Sequence, residues 1–442
     1  MTAFADLPGA DAFAVFYARF VERVCTGELA QASGPLADDL MRLLAASAIA
    51  TAQGLTPSPE GLAAGRLRDL LGPWLVAAES AYQQWARSPV AAGLVTTLAR
   101  HWTAAAAQLP AELLGSFGPR AAALGALGLP AEGLARTLVT EIGAARLYRY
   151  GKAGSTRGVP LLVVYAMVNR PTILDLEPER SLIRGLVESG REVYLLDWGD
   201  PGPAEQARGL AELICGTLHQ VVKVVGGRRA IDVLGVCQGG VFSLLYAALE
   251  PRRIRRLITM VTPVDFQTDD DLLSQWARRL DVGLLEASDT IISGEVLGYI
   301  FQLLAPYRLV MGKYVDLLDH AADPAWVARF RRMERWVHDG PDQPRQLLVD
   351  FTRAFYLDNR FMRGGLLLDG RPVELSKLTM PILNIYGLED HIVPPRSSQA
   401  LAGLTASRRY EEIAVPTGHI GVFVSTRAVG LPERIAHWLA RR

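Results

Sequence analysis

The stretch Ile231-Asp232-Val233-Leu234-Gly235-Val236-Cys237-Gln238-Gly239-Gly240, continued by Val241-Phe242-Ser243-Leu244-Leu245-Tyr246, decides how this chain folds. A short β-rich apolar run leads into it and an apolar run of helical character leads out. Between them, glycines stand two residues before and two residues after a cysteine. This is strand, tight turn, helix. Glycines at those positions permit a turn sharp enough to expose the side chain at its crest, so the stretch matches the nucleophile elbow G-x-S-x-G with cysteine in place of serine. The helix beyond the turn directs N–H groups and its positive end at Cys237, favouring thiolate and later stabilising oxyanion charge. The plainer alternative is a small cysteine packed on a strand end.

Outward from the elbow, short β-rich runs alternate with helical stretches, the signature of a mostly parallel sheet with crossover helices. Strands are expected near Val159–Ala166, Glu192–Trp198, Ala230–Gly235, Leu257–Val261, Ile382–Tyr386 and Tyr410–Val415. Helices are expected near Pro178–Ser189, Ala204–Val225, Gly240–Leu249 and Pro395–Leu404. The alternation breaks between about Gln267 and Lys377, which reads as an inserted cap beyond the carboxyl ends of the strands, where such folds place ligands. Residues 1–145 are rich in Ala and Leu and read as a helical accessory domain, with segments around Phe13–Val24, Leu40–Thr51, Leu67–Trp85, Val90–Gln108 and Pro130–Ala145. Residues 146–442 form the catalytic domain. The expected fold class is therefore α/β, an α/β-hydrolase fold with a mostly parallel central sheet and inserted cap, preceded by a helical segment.

Composition narrows the function. With 46 Lys plus Arg against 46 Asp plus Glu, no general basic field exists to hold nucleic acid. Cys25, Cys215 and Cys237 are odd in number, far apart and without metal-ligand spacing, which fits a reducing cytoplasm and no metal. The N-terminus shows no basic segment ahead of an apolar stretch, and no apolar run is long enough to span a membrane.

A nucleophilic thiol needs a base, and this fold class supplies the acid and the histidine later in the chain, in that order. Ile382-Leu383-Asn384-Ile385-Tyr386-Gly387-Leu388-Glu389-Asp390 reads as a buried strand presenting Asp390, and Ala414-Val415-Pro416-Thr417-Gly418-His419 repeats the design with His419. Glu389 and Asp265 are rival acids. His391 adjoins Asp390 and is a candidate substrate contact, or an ordinary loop histidine. The oxyanion donors are expected to be the backbone N–H groups of Gln238 and, from the loop Ala166-Met167-Val168-Asn169-Arg170-Pro171, of Val168. In the cap, Arg308, Lys313 and Arg353 are candidate phosphate contacts, each also explicable as a structural charge.

These residues resemble the catalytic subunit of class III polyhydroxyalkanoate synthases over roughly Arg146–Arg442. The marks are Pro160–Ala166 with Val168-Asn169-Arg170-Pro171, Tyr194-Leu195-Leu196-Asp197-Trp198-Gly199, the elbow, and Thr259-Met260-Val261-Thr262-Pro263-Val264-Asp265-Phe266. Gly312-Lys313-Tyr314, Asp390-His391-Ile392-Val393-Pro394-Pro395 and Gly418-His419-Ile420-Gly421 complete the series in order. The resemblance implies a short-chain 3-hydroxyacyl-CoA substrate, such as 3-hydroxybutyryl-CoA, polymerised with release of CoA through a thioester on Cys237. His419 would deprotonate Cys237, while Asp390 would either orient His419 or assist activation of the 3-hydroxyl. It further implies no cofactor, CoA being part of the substrate and a product. The growing polyester and its granule surface in the cytoplasm would be partners, with a homodimer and an accessory synthase subunit. The long N-terminal segment departs from the family pattern and leaves open whether that subunit is replaced or recruited. Two rival readings remain: a thioesterase, esterase or intracellular polyester depolymerase on the same fold, and a non-catalytic granule-binding protein.

Overall fold

A computed structural model describes residues 67–87, 133–151, 158–287, 293–320 and 322–441. The helices expected over Phe13–Val24, Leu40–Thr51 and Val90–Gln108, together with Cys25, lie outside the described residues. The chain divides into two compact units, Met1–Leu127 with Ile300–Arg335, and Gly128–Tyr299 with Trp336–Arg442.

The second unit carries an eight-stranded sheet: β1 Arg136–Ile142, β2 Ala145–Tyr150, β3 Leu161–Val164, β4 Val193–Asp197, β5 Ile231–Val236, β6 Ile254–Met260, β7 Ile382–Gly387 and β8 Tyr410–Val415. Their spatial order is β1-β2-β4-β3-β5-β6-β7-β8. The β1–β2 and β2–β4 pairs are antiparallel, and every later pair is parallel. Six of these strands coincide with the runs read from sequence. The central strands β3 and β5 are buried at every position, which explains an apolar character broken only by Asp232 of β5, whose carboxylate is paired with Arg255: a parallel strand covered on both faces has no solvent side to alternate toward. Each fully buried Leu or Val there contributes about 1.5–3 kcal/mol.

The helix expected over Pro130–Ala145 is corrected by the structure, since residues 136–142 form β1 and the sheet begins ahead of Arg146. Leu134, Leu138 and Ile142 stand four residues apart, a helical spacing. Yet β1 is an edge strand, exposed along most of its length, so no core face imposes the two-residue alternation that would have announced it.

Among the helices of the first and second units are α1 Leu67–Ala86, α2 Leu182–Glu188, α3 His219–Gly226, α4 Gln238–Leu249, α5 Arg345–Phe351 and α6 Leu431–Ala440. Helix α4 is buried at all twelve positions and packs on β5, as an all-round apolar helix must. Within the first unit, α1 meets the segment after Leu303: the Tyr82 hydroxyl donates to the Leu303 carbonyl at 2.8 Å, and the Arg308 N–H donates to Glu79 at 2.9 Å. The interval expected as one cap, 267–377, is thus shared, with Ile300–Arg335 belonging to the unit of α1. No helix among the described residues is long and apolar enough to cross a membrane.

Candidate active site

Cys237 occupies the single residue between β5 and α4, with φ 54° and ψ −122°. A side chain in that region costs about 1–3 kcal/mol and persists only where its surroundings over-determine it. They do so here. The Cys237 N–H donates to the Met260 carbonyl at 2.9 Å, and the Cys237 carbonyl accepts the N–H groups of Gly240 at 2.9 Å and Val241 at 3.3 Å. A methyl group on Gly235 would lie 2.5 Å from the Gly240 Cα and 2.6 Å from the Ser243 Oγ. One on Gly239 would strike the carbonyls of Val164 and Tyr165 at the end of β3. The glycine spacing thus follows from three backbones meeting at the crest.

Two further strand ends bring in the acid and the histidine. Asp390 follows β7 by three residues and His419 follows β8 by four, and both are buried. The His419 Nδ1–H donates to Asp390 Oδ2 at 2.7 Å, while Asp390 Oδ1 accepts the N–H groups of Ile392 and Val393, each at 2.9 Å. The rival acids are engaged elsewhere: Asp265 accepts from the Asn359 side chain at 2.8 Å and the Gln267 N–H at 2.9 Å, and exposed Glu389 pairs with Arg427 at 3.1 Å.

Burial pulls the His419 pKa down, but the Asp390 carboxylate and Cys237, by charge and by hydrogen bonding, outweigh it and raise the value from the ordinary 6.5 to about 10. A histidine whose pKa rises on folding stabilises the native chain fully below the unfolded value, and that contribution is lost as pH climbs through the folded value. Asp390→Asn removes the strongest influence raising His419. The urea midpoint of the variant is therefore expected to change less between pH 6.5 and 10 than that of the wild type, which denaturation at the two pH values checks.

On the other side of the elbow, Gln238 Oε1 accepts the Met167 N–H at 3.0 Å, and the Met167 carbonyl accepts from Gln343 at 2.7 Å. The loop after β3 is thereby latched to the residue after Cys237. The first N–H groups of a helix have no acceptor within it, so the Gln238 N–H at the start of α4 is a ready donor. With the Met167 N–H engaged, Val168 is the next donor along that loop. Arg170 is tied to Asp200 at 2.6 Å and Asp339 at 3.4 Å, and its carbonyl accepts from Trp336 at 2.7 Å.

Two of the cationic candidates are engaged with carboxylates. Exposed Arg353 directs both terminal nitrogens at Glu286, and Lys313 donates to both oxygens of Glu334 at 2.8 and 2.9 Å. His391 is half-buried next to Asp390. No cluster of three metal-ligating side chains occurs among the described residues. Sequence reasoning missed Tyr165 and Tyr356, whose hydroxyl pKa values are raised by burial and by the charge of Cys237, with Asp271 contributing at Tyr356. Tyr165 lies inside the expected strand Val159–Ala166 and directly follows the observed Leu161–Val164, a signal that could have found it. Tyr356 lies 119 residues beyond Cys237 (356 minus 237) in no recognisable pattern.

Comparison with known proteins accords with this geometry. Residues 159–426 match the family described as alpha/beta hydrolase fold. The chain is 46% identical over 305 residues to the poly(3-hydroxyalkanoate) polymerase subunit PhaC of Allochromatium vinosum, covering 67% of this chain and 85% of that one. It is 45% identical over 304 residues to the subunit of the same name from Thiocystis violacea, with the same coverage. The corresponding subunit from a Synechocystis strain is 40% identical over 295 residues, covering 64% of this chain and 78% of that one.

Proposed function

Because this chain belongs to the poly(3-hydroxyalkanoate) polymerase PhaC family of acyltransferases on the α/β-hydrolase fold, we propose that it polymerises short-chain 3-hydroxyacyl-CoA, 3-hydroxybutyryl-CoA in particular, releasing CoA and carrying the growing chain as a thioester on Cys237. The observation that carries this reading is Cys237 held at a strained crest, where its charge helps raise the pKa of a His419 that Asp390 grips at 2.7 Å.

In the loading step the Cys237 sulfur attacks the thioester carbonyl of the substrate, His419 holding the thiol proton and passing it to the departing CoA sulfur. Charge on the carbonyl oxygen is met by the Gln238 and Val168 N–H groups. Exchange of one thioester for another is nearly balanced. Transfer of the acyl group from Cys237 to the 3-hydroxyl of the next monomer or chain breaks the thioester C–S bond and forms an oxygen ester, the hydroxyl proton passing through His419 to the Cys237 sulfur; the oxygen ester is more stable and drives elongation. His391, half-buried beside Asp390, is the candidate substrate contact in this reading. Arg353, given its Glu286 pairing, serves the cap structurally in this reading.

Incubating the purified protein with 3-hydroxybutyryl-CoA tests the reading against hydrolysis. Insoluble polyester accumulating with free CoA is expected. Free CoA with only soluble 3-hydroxybutyrate would assign the site to a thioesterase instead.

A further inference from the structure

Tyr356 is partly buried in the π-helical turn Thr352–Leu357 that prolongs α5, and such turns recur at functional sites. Its ring stands edge-on to Phe266 at 5.2 Å and lies 5.9 Å from Phe351, whose own ring is 6.3 Å from Phe242 on the nucleophile helix α4. Among the described residues no hydrogen-bond partner of its hydroxyl is found. The hydroxyl is not among the buried side-chain atoms left without a partner, so it is open to solvent or to a ligand arriving at Cys237. Burial, with Asp271 and Cys237 adding negative charge nearby, raises its pKa, so the phenol keeps its proton.

The turn is fixed to the elbow by a short chain of bonds. Asn359, buried at φ 47° and ψ 50°, accepts the Phe266 N–H at 3.2 Å and donates to Asp265 at 2.8 Å. Gln267 donates to the carbonyls of Tyr356 at 3.3 Å and Leu357 at 3.0 Å. Residues 265–267 follow β6, whose last residue, Met260, accepts the Cys237 N–H. The position of Tyr356 is therefore set relative to the candidate nucleophile.

We propose that Tyr356 is a further catalytic residue whose hydroxyl hydrogen-bonds the 3-hydroxyl of the acyl group delivered to Cys237, and that Asn359 is the positioning residue that holds it there. This rests on the synthase reading above. The carbonyl oxygen of the acyl group is served by the N–H groups of Gln238 and Val168, which leaves the 3-hydroxyl as the polar atom needing a partner on the tyrosine side. A site built to hydrogen-bond a hydroxyl rejects the analogue that lacks it.

The test compares CoA release in the first turnover from 3-hydroxybutyryl-CoA and from butyryl-CoA, which can load Cys237 but cannot be extended. Tyr356→Phe, which keeps the ring packing, is expected to lower loading by the hydroxylated substrate about tenfold while leaving butyryl loading nearly unchanged. Asn359→Gly, which retains the left-handed conformation but loses both side-chain bonds, should shift the ratio the same way, and the double variant should add little. Equal slowing of both substrates, or an unchanged ratio, overturns the proposal and leaves the synthase reading standing. A wild-type protein that releases CoA from neither substrate, like Cys237→Ala, overturns the synthase reading and this proposal with it.

Discussion

Cys237→Ala is expected to lower CoA release from 3-hydroxybutyryl-CoA by at least about four orders of magnitude and to leave no detectable polymer. The size of the effect follows from the chemistry: without the sulfur there is no atom to receive the acyl group, and His419 and the oxyanion donors have nothing to assist. The fold should survive, since a smaller side chain at the crest relieves none of the bonds that the Cys237 backbone makes to Met260, Gly240 and Val241. Cys237→Ser preserves the shape yet should lose most activity, because a hydroxyl is far less ionised than a thiol and cannot form a thioester. Cys215→Ala supplies the contrast. That thiol sits in the π-helical turn Glu212–Leu218, and burial raises its pKa, which makes it a poor nucleophile. Its removal should leave turnover near wild type. Steady-state assay of the three variants, with circular dichroism to verify folding, checks the set.

Asp390→Asn carries the second large effect and separates two roles for the acid. Asp390 holds the His419 Nδ1–H and is itself oriented by the N–H groups of Ile392 and Val393. If the acid serves chiefly to activate the 3-hydroxyl, loading of Cys237 should proceed with help from the start of α4, while elongation falls about 10²–10⁴-fold. Rapid-quench sampling would then show a burst of CoA followed by a stall, with short chains on the enzyme. If the acid chiefly fixes the His419 tautomer, loading and elongation slow together, because one imidazole serves every proton transfer. The buried 2.7 Å contact is the geometry of tautomer control, and the expected result is parallel slowing of the two steps.

Much of this arrangement was legible in the chain itself, and the exceptions have physical causes. The six strands read from sequence are those whose burial leaves an apolar run or a clear boundary, as in Leu161–Val164 and, with Asp232 as its one charge, Ile231–Val236. The hairpin over 136–150 was not, because its outer strand faces solvent and its apolar residues happen to stand at helical spacing. In the site, Cys237, Asp390 and His419 each sit at a strand end marked by glycine, so their placement follows from local patterns. The contacts among them could not be read, yet the order of nucleophile, acid and histidine already implied them. The side-chain bond of Gln238, which the elbow motif marked only as a backbone donor, and the roles of Tyr356 and Asn359 carry no such marks. The Gln238 side chain reaches Met167, 71 residues away, and Asn359 reaches Asp265 across 94, and pairings over such distances arise only once the sheet has closed. Asp390 was already favoured by its strand end, and what the sequence could not supply was the engagement of its rival: Asn359 occupies the Asp265 carboxylate, while His419 meets that of Asp390.

The central claim is that the acyl group passes through a thioester on Cys237, and the most direct measurement is to stop the wild-type reaction with acid within the first turnovers and map the peptides by mass spectrometry. The account predicts 3-hydroxybutyryl adducts, as monomer and short oligomers, on the peptide containing Cys237, released by hydroxylamine and missing from Cys237→Ala. Turnover with that peptide unmodified throughout, or with the acyl group on another residue such as Cys215, would contradict it.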